Sequence, residues 1–124
     1  MSNKILMVDD TPIYRSQMQM FLSIYKFTVF TAVDGLDALK KIESDSLAKP
    51  FDLVITDVEM PNMNGFELLA TLKKKYPKLP VIMLTTLEKE SHMQKAEKLG
   101  ADFYIVKPFS KEKIDEALDK IGFK

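Results

Sequence analysis

The sequence has no cysteine, no tryptophan, a single histidine and no net charge. The lack of cysteine excludes disulfides, thiolate metal sites and thiol redox chemistry. Lys and Arg number 18 and are balanced by 18 Asp and Glu, which argues against a basic surface for nucleic acid or for an anionic membrane. No apolar run approaches the roughly 20 residues of a membrane span, and none at the N-terminus suits a signal peptide. These absences predict a cytoplasmic protein that binds neither nucleic acid nor membrane.

Length and composition predict one globular domain over residues 1–124. With 46% hydrophobic and 29% charged residues, the chain can bury a core that needs no disulfide to hold it. No repeat, low-complexity segment or linker is visible. Met1 stands directly before the first apolar run, which favours a natural start of the protein.

Short apolar segments alternate with longer amphipathic ones five times along the chain. The pattern predicts strands at Lys4–Val8, Thr28–Ala32, Leu53–Thr56, Val81–Thr85 and Asp102–Val106. It predicts helices at about Pro12–Tyr25, Leu36–Ser44, Gly65–Lys75, Ser91–Leu99 and Lys111–Ile121. Strand and helix alternating in this way give an α/β fold with a parallel sheet and helices on both of its faces. The second and fifth strands mix polar with apolar residues, which suits the edges of the sheet.

Polar residues stand at the carboxyl ends of four predicted strands, where open α/β sheets form their sites. Asp9 and Asp10 follow the first strand, Asp57 follows the third, Thr85 ends the fourth and Lys107 follows the fifth. Three adjacent carboxylates repel one another unless one is protonated or a hard cation such as Mg²⁺ binds them. Each residue alone has a simpler explanation as a turn, strand or surface residue. Together, a metal, a lysine, a hydroxyl and a nucleophilic carboxylate indicate phosphoryl transfer.

Three segments resemble the signatures of response regulator receiver domains: Val8–Asp10, Asp57–Gly65 and Lys107–Phe109. Chemotaxis-type single-domain regulators are especially similar, and the resemblance spans essentially the whole chain. It implies a flavodoxin-like doubly wound fold with a five-stranded sheet of order 2-1-3-4-5 and five helices. It also implies a two-component phosphorelay switch, which accepts a phosphoryl group from a histidine kinase or phosphotransfer protein and controls a downstream protein. Such a switch catalyses only its own phosphorylation and dephosphorylation.

The resemblance assigns Asp57 as the phosphoacceptor and Mg²⁺ as the cofactor. It implies that Asp10 binds the metal directly and that Asp9 does so mostly through water or hydrogen bonding. Asp57 and the backbone carbonyl of Glu59 are the further metal ligands. In this family the position of Glu59 and that of Leu87 modulate hydrolysis, so the lifetime of the phosphorylated state is open.

The resemblance also implies how the site changes on phosphorylation. Lys107 pairs first with Asp57 and later with the phosphoryl group, and Thr85 donates a hydrogen bond to a phosphoryl oxygen. Tyr104 is the switch aromatic on the outward face of the fifth strand. The peptide bond between Lys107 and Pro108 is expected to be cis.

The first helix carries more apolar residues than one packed face requires. One stripe, Tyr14, Met18, Phe21, Leu22 and Tyr25, has the spacing of a core-facing surface. A second row comprises Ile13, Gln17, Met20 and Ile24. An apolar row of this kind suggests an interface. Because kinase phosphotransfer helices dock near this position in the family that the chain resembles, we interpret the row as the surface that receives the histidine-bearing partner, with methionine as an adaptable contact. The alternative is that the fifth helix covers the row.

Two alternatives come from other classes of protein. A flavodoxin-like electron carrier shares the architecture, but it needs a phosphate-binding loop rich in Ser, Thr and Gly where this chain has Asp9–Pro12. A haloacid-dehalogenase-like phosphatase needs a second catalytic Asp where this chain has Glu59. Within the receiver family, the chain is a free-standing regulator or a module of a hybrid kinase or multidomain regulator. We expect a monomer or a weak dimer that depends on phosphorylation.

Overall fold

The computed structural model describes residues 4–45, 51–86 and 89–123. The strands are β1 (Lys4–Val8), β2 (Thr28–Ala32), β3 (Leu53–Asp57), β4 (Val81–Thr85) and β5 (Phe103–Val106). The helices are α1 (Pro12–Ser23), α2 (Gly35–Asp45), α3 (Gly65–Lys75), α4 (Glu90–Lys98) and α5 (Lys111–Lys120). Within the described ranges, no helix has both the length and the apolar character to cross a membrane.

All five strands pair in parallel in the order β2-β1-β3-β4-β5, which confirms the predicted fold class and strand order. The three inner strands are buried along their whole length, whereas each edge strand has only one buried residue. The sheet separates two apolar clusters. On one face α1 and α5 pack against the sheet, and on the other face α2, α3 and α4 do so.

Local sequence signals account for where the helices begin. Thr11 is the N-cap of α1 and Pro12 stands in its first turn, where no backbone donor is needed. The Asn64 side chain caps α3 and forms a capping box with Glu67. The Ser110 hydroxyl accepts a hydrogen bond from a backbone N–H in the first turn of α5.

The end of α1 and the start of β5 differ from the prediction. α1 ends at Ser23 rather than at Tyr25, and Lys26 has a φ of 60° in the left-handed region. The rings of Tyr25 and Phe27 stack with centroids 5.3 Å apart on either side of this turn, so aromatic packing holds it. β5 begins at Phe103, one residue later than predicted; the Asp102 N–H donates to the Val81 carbonyl at 2.9 Å and the Asp102 side chain accepts from the Val81 N–H at 2.8 Å.

Gly65 allows the first turn of α3 to lie directly against the end of β3. A Cβ atom at this position would lie 2.1 Å from the carbonyl oxygen of Asp57, a distance that no side chain can occupy. The Gly65 N–H donates to the carbonyl oxygen of Val58 at 2.7 Å. This close approach fixes the backbone of Asp57 and of the loop that follows it.

Candidate functional site

Parallel pairing brings the carboxyl ends of the inner strands to one edge of the sheet. Val8 of β1 pairs with Thr56 of β3. Asp9 and Asp57, the residues that follow this pair, therefore emerge side by side. Thr85 is the last residue of β4, which pairs with β3 on its other side. The structure thus brings together the strand ends that the sequence singled out.

The carboxylates of Asp9, Asp10 and Asp57 form an acidic cluster. One oxygen from each of these three side chains lies within 4.8 Å of the others. Asp9 is fully buried and Asp57 nearly so, whereas Asp10 is exposed to solvent. The cluster is therefore open on the side of Asp10 and closed on the side of Asp9.

Lys107 reaches into the cluster from the residue that follows β5. Its ammonium nitrogen lies 2.8 Å from Asp9 Oδ2 and 3.4 Å from Asp57 Oδ1, and only 3% of its side chain is exposed. The contact with Asp57 was expected, but the shorter one is to Asp9. The peptide bond between Lys107 and Pro108 is cis, as the sequence resemblance predicted.

Asp9 also has a structural role at the start of α1. Its Oδ1 accepts a hydrogen bond of 2.9 Å from the Thr11 N–H. The guanidinium of Arg15 donates to the Asp9 backbone carbonyl at 2.5 Å. Asp9 therefore has one oxygen bound to the helix start and the other to Lys107, which fixes its orientation.

Asp57 is less acidic than an ordinary aspartic acid. Its pKa is raised from 3.8 to about 6, mainly by burial; the Lys107 charge lowers the pKa and the neighbouring charge of Asp9 raises it. The Val58 N–H donates to Asp57 Oδ1 at 2.8 Å, which also favours the charged form. The charge of Lys107 therefore does not offset the effects of burial and of Asp9 on the Asp57 carboxylate. Additional positive charge would stabilise its ionised form.

The acidic cluster has the donor set that suits Mg²⁺. All three side chains offer carboxylate oxygens, and a small hard cation needs only one or two of them because it keeps several waters. The exposed carboxylate of Asp10 leaves room for those waters. Glu59 is exposed in the loop after β3, where its backbone is free of helix or strand pairing.

Thr85 and Tyr104 lie on the same face of the sheet. Side chains alternate along a strand, so Thr85 shares the face of Met83, which is buried against α2, α3 and α4. In the register of β4 and β5, Met83 pairs with Tyr104, which packs at the rim of the same cluster. Burial raises the pKa of the Tyr104 hydroxyl, and the negative charge of Asp57 raises it further.

An open cleft of about 570 Å³ lies beside the acidic cluster. Residues of the loop after β3 line one wall, and α4 contributes the other; among the lining residues are Asp10, Glu59, Met60, Phe66, His92 and Lys95. The Lys95 ammonium lies 4.7 Å from the centroid of the Phe66 ring. The cleft offers small molecules and solvent access to the exposed side of the site.

Sequence reasoning missed the part that the start of α1 plays in this site. Tyr14 had been assigned only to the packed stripe, and Arg15 to no role. In the structure, the Lys107 ammonium lies 3.9 Å from the centroid of the Tyr14 ring.

The second apolar row of α1 is accessible to solvent. Ile13 and Met20 are each 62% exposed, and Ile24 is 58% exposed. The alternative that α5 covers this row is therefore wrong. The apolar residues of α5 instead meet the buried stripe of α1, which includes Met18 and Leu22.

Residues 5–119 match the family model of the response regulator receiver domain. The chain is 37% identical over 118 residues to the chemotaxis protein CheY of Listeria monocytogenes, an alignment that covers 94% of this chain and 96% of that protein. It is 36% identical over 121 residues to the alkaline phosphatase synthesis transcriptional regulatory protein PhoP of Bacillus subtilis. That alignment covers 98% of this chain but only 49% of PhoP, so the chain spans about half of that relative's length.

Among solved structures, the CheX-CheY-BeF3-Mg²⁺ complex from Borrelia burgdorferi contains a chain with a TM-score of 0.90 to this one and 28% sequence identity. The match covers 98% of this chain and 90% of the other. The fold, the residues at the strand ends and the sequence relatives all indicate the same family. The chain belongs to the response regulator receiver domain family of two-component systems, and its relatives include chemotaxis proteins of the CheY type.

Proposed function

We propose that this chain is a phosphoacceptor switch to which a histidine kinase or phosphotransfer protein delivers a phosphoryl group on Asp57, in a reaction that requires Mg²⁺. The observation that carries the proposal is the position of the Asp57 carboxylate, buried between the Lys107 ammonium and a cluster of further carboxylates. The Borrelia complex, which combines a CheY chain with BeF3 and Mg²⁺, supports Mg²⁺ as the metal.

In the proposed reaction, an oxygen of Asp57 attacks phosphorus, and the bond between phosphorus and the donor histidine nitrogen breaks. The electron pair of that bond returns to the nitrogen, and an acyl phosphate forms. The Lys107 ammonium compensates the negative charge of the phosphoryl oxygens. Asp10 would hold Mg²⁺ directly, Asp9 mostly through water, and Asp57 and the Glu59 carbonyl would complete the protein ligands. When bound, the metal neutralises charge on the transferred group.

The switch would run from Thr85 to Tyr104. A phosphoryl group on Asp57 presents acceptor oxygens, to which the Thr85 hydroxyl donates a hydrogen bond. Movement of Thr85 toward the site frees space on the face that Tyr104 borders, and the Tyr104 ring occupies that space. Because α4 packs on the same face through Ala96, the change reaches the surface of α4, where a downstream protein would bind.

The exposed row on α1 is the proposed docking surface for the histidine-bearing partner. Ile13, Met20 and Ile24 present an apolar patch on the helix that begins beside Asp9 and Asp10. A partner helix packed there could present its phosphohistidine to Asp57. Methionine in the patch supplies an adaptable contact.

Several further features follow from this proposal. The chain would act as one domain over residues 1–124 in the cytoplasm, as a monomer or weak phosphorylation-dependent dimer, without contact to nucleic acid or membrane. It would catalyse only its own phosphorylation and dephosphorylation. A flavodoxin-like electron carrier and a haloacid-dehalogenase-like phosphatase are disfavoured by the family match.

The experiment that tests the phosphoacceptor is labelling with acetyl phosphate, followed by intact-mass measurement. We expect one phosphoryl group per chain with Mg²⁺ or Mn²⁺, none in EDTA, and none on Asp57→Asn. Full labelling of Asp57→Asn at another residue would overturn the assignment.

A separate experiment tests the metal ligands. Asp10→Ala should weaken Mg²⁺ binding much more than Asp9→Ala, and equal affinities would contradict the proposed direct and indirect ligands.

The experiment that tests docking combines Met20→Lys with Ile24→Lys. The double variant should slow transfer from the cognate kinase but leave labelling by acetyl phosphate unchanged, because the small donor does not use α1. Leu36→Lys, also at an exposed apolar position but on α2, is the matched control and should affect neither reaction. Unchanged transfer from the kinase to the double variant would remove the α1 row from the mechanism.

A further inference from the structure

Lys107 is enclosed by three groups, of which only two are carboxylates. Its ammonium nitrogen lies 2.8 Å from Asp9 Oδ2, 3.4 Å from Asp57 Oδ1 and 3.9 Å from the centroid of the Tyr14 ring. Because the Lys107 side chain is only 3% exposed, water cannot replace any of the three. The face of an aromatic ring carries negative charge density and attracts a cation most strongly where water is excluded.

The Tyr14 ring is itself held in place by the segment that carries Lys107. Phe109, two residues after Lys107, lies with its ring centroid 6.2 Å from that of Tyr14. Phe21, from the next turns of the same helix, contacts Phe109 edge to face with centroids 5.7 Å apart. Helix α1 and the segment after β5 are thus joined by aromatic packing directly beneath the ammonium.

We propose that Tyr14 is a positioning residue, whose ring face holds the Lys107 ammonium against Asp9 and Asp57. An ammonium has three N–H groups and must direct them at the carboxylates to neutralise charge there. A ring face on its remaining side prevents the flexible four-carbon stem from adopting other orientations. This inference rests on the proposed function in one respect, because it expects the orientation of Lys107 to affect the rate at which Asp57 is phosphorylated.

Two substitutions separate the ring face from the hydroxyl and from simple packing. Tyr14→Phe keeps the ring face, and Tyr14→Leu keeps an apolar side chain without one. In metal-free protein, the ε-CH₂ protons of Lys107 should show an upfield ring-current shift in NMR spectra of wild type and Tyr14→Phe. The shift should be absent in Tyr14→Leu. Labelling of Asp57 by acetyl phosphate should be about five- to tenfold slower for Tyr14→Leu and close to wild type for Tyr14→Phe.

The matched control is Tyr25→Leu, which removes another ring of the predicted stripe, from the turn after α1 and therefore at the end of the helix away from the acidic cluster. It should lower the melting temperature as Tyr14→Leu does but leave the labelling rate unchanged. In a Lys107→Met background, Tyr14→Leu should slow labelling no further, because the ring acts only through the ammonium. If Tyr14→Leu does not fold, Tyr14→Met replaces it.

Three results would overturn the proposal: equal slowing by Tyr14→Phe and Tyr14→Leu, equal slowing by Tyr25→Leu, or Lys107 shifts that survive the loss of the ring. If wild type is not labelled at all, the proposed function fails. The NMR comparison of metal-free proteins still decides whether Tyr14 holds the ammonium.

Discussion

Replacing the proposed phosphoacceptor should stabilise the folded protein when no metal is present. Asp57 has a pKa of about 6 in the folded chain, against 3.8 for an exposed aspartic acid, because it is buried beside Asp9. Burial therefore makes ionisation of Asp57 costly in the folded state. Asp57→Asn removes the charge but keeps an oxygen that can accept the hydrogen bond from the Val58 N–H.

The magnitude follows from the two pKa values. A pKa raised on folding gives stability that is fully present below pH 3.8 and lost as the pH rises through about 6. At about 1.4 kcal/mol for each pH unit between the two values, the ionised Asp57 lowers the free energy of unfolding by roughly 3 kcal/mol at pH 7.5. At pH 4 the same calculation gives about 0.5 kcal/mol.

The assay is urea unfolding in EDTA, followed by circular dichroism at pH 4 and pH 7.5. Asp57→Asn should exceed wild type by about 3 kcal/mol at the higher pH and by about 0.5 kcal/mol at the lower. Asp119→Asn, at an exposed position on α5, controls for the loss of an acidic residue and should change little at either pH. Equal stability of Asp57→Asn and wild type at pH 7.5, or a gain that does not depend on pH, would refute the reasoning.

Two further predictions concern the switch and the backbone beside it. Thr85→Ala should still be labelled at Asp57 but should lose the chemical-shift changes in α4 that accompany phosphorylation; the wild-type changes in this variant would contradict the proposed coupling. Gly65→Ala should lower the free energy of unfolding by about 3 kcal/mol in urea titrations, because its Cβ would overlap the Asp57 carbonyl. At Gly122 an added Cβ would contact nothing, so Gly122→Ala should lower the free energy of unfolding by only about 1 kcal/mol, because of the positive φ at this position. An equal loss of stability in both variants would contradict the claim that Gly65 is required by its contact with the Asp57 carbonyl.

The fold could be predicted because each element carries its own signal. The inner strands are short apolar runs that stay buried on both faces of the sheet, and Thr11, Asn64 and Ser110 mark where helices begin. The end of α1 could not be predicted in this way. Lys26 has a left-handed backbone conformation, which lysine does not favour, so its residue type gives no signal for the turn. The turn is stabilised instead by the stacked rings of Tyr25 and Phe27 on either side of it.

The composition of the site could be predicted more fully than its geometry. The strand ends identified Asp9, Asp57, Thr85 and Lys107, because parallel pairing brings those ends together whatever the details of packing. The sequence could not reveal that Lys107 lies closer to Asp9 than to Asp57, since this depends on the length and path of a side chain. The family resemblance, rather than spacing, supplied the role of Tyr104.

The sheet divides the apolar interior into two cores, and among the residues that the structure describes these cores share no buried side chain. One contains Met18 and Leu22 of α1 with the apolar residues of α5, and the other contains Ala96 of α4 and borders Tyr104. A substitution that reshapes one core therefore needs no compensating change in the other. Changes on the proposed kinase-binding surface can therefore accumulate in evolution independently of changes on the proposed output surface. Such a chain could acquire a new kinase partner while it keeps the same downstream protein.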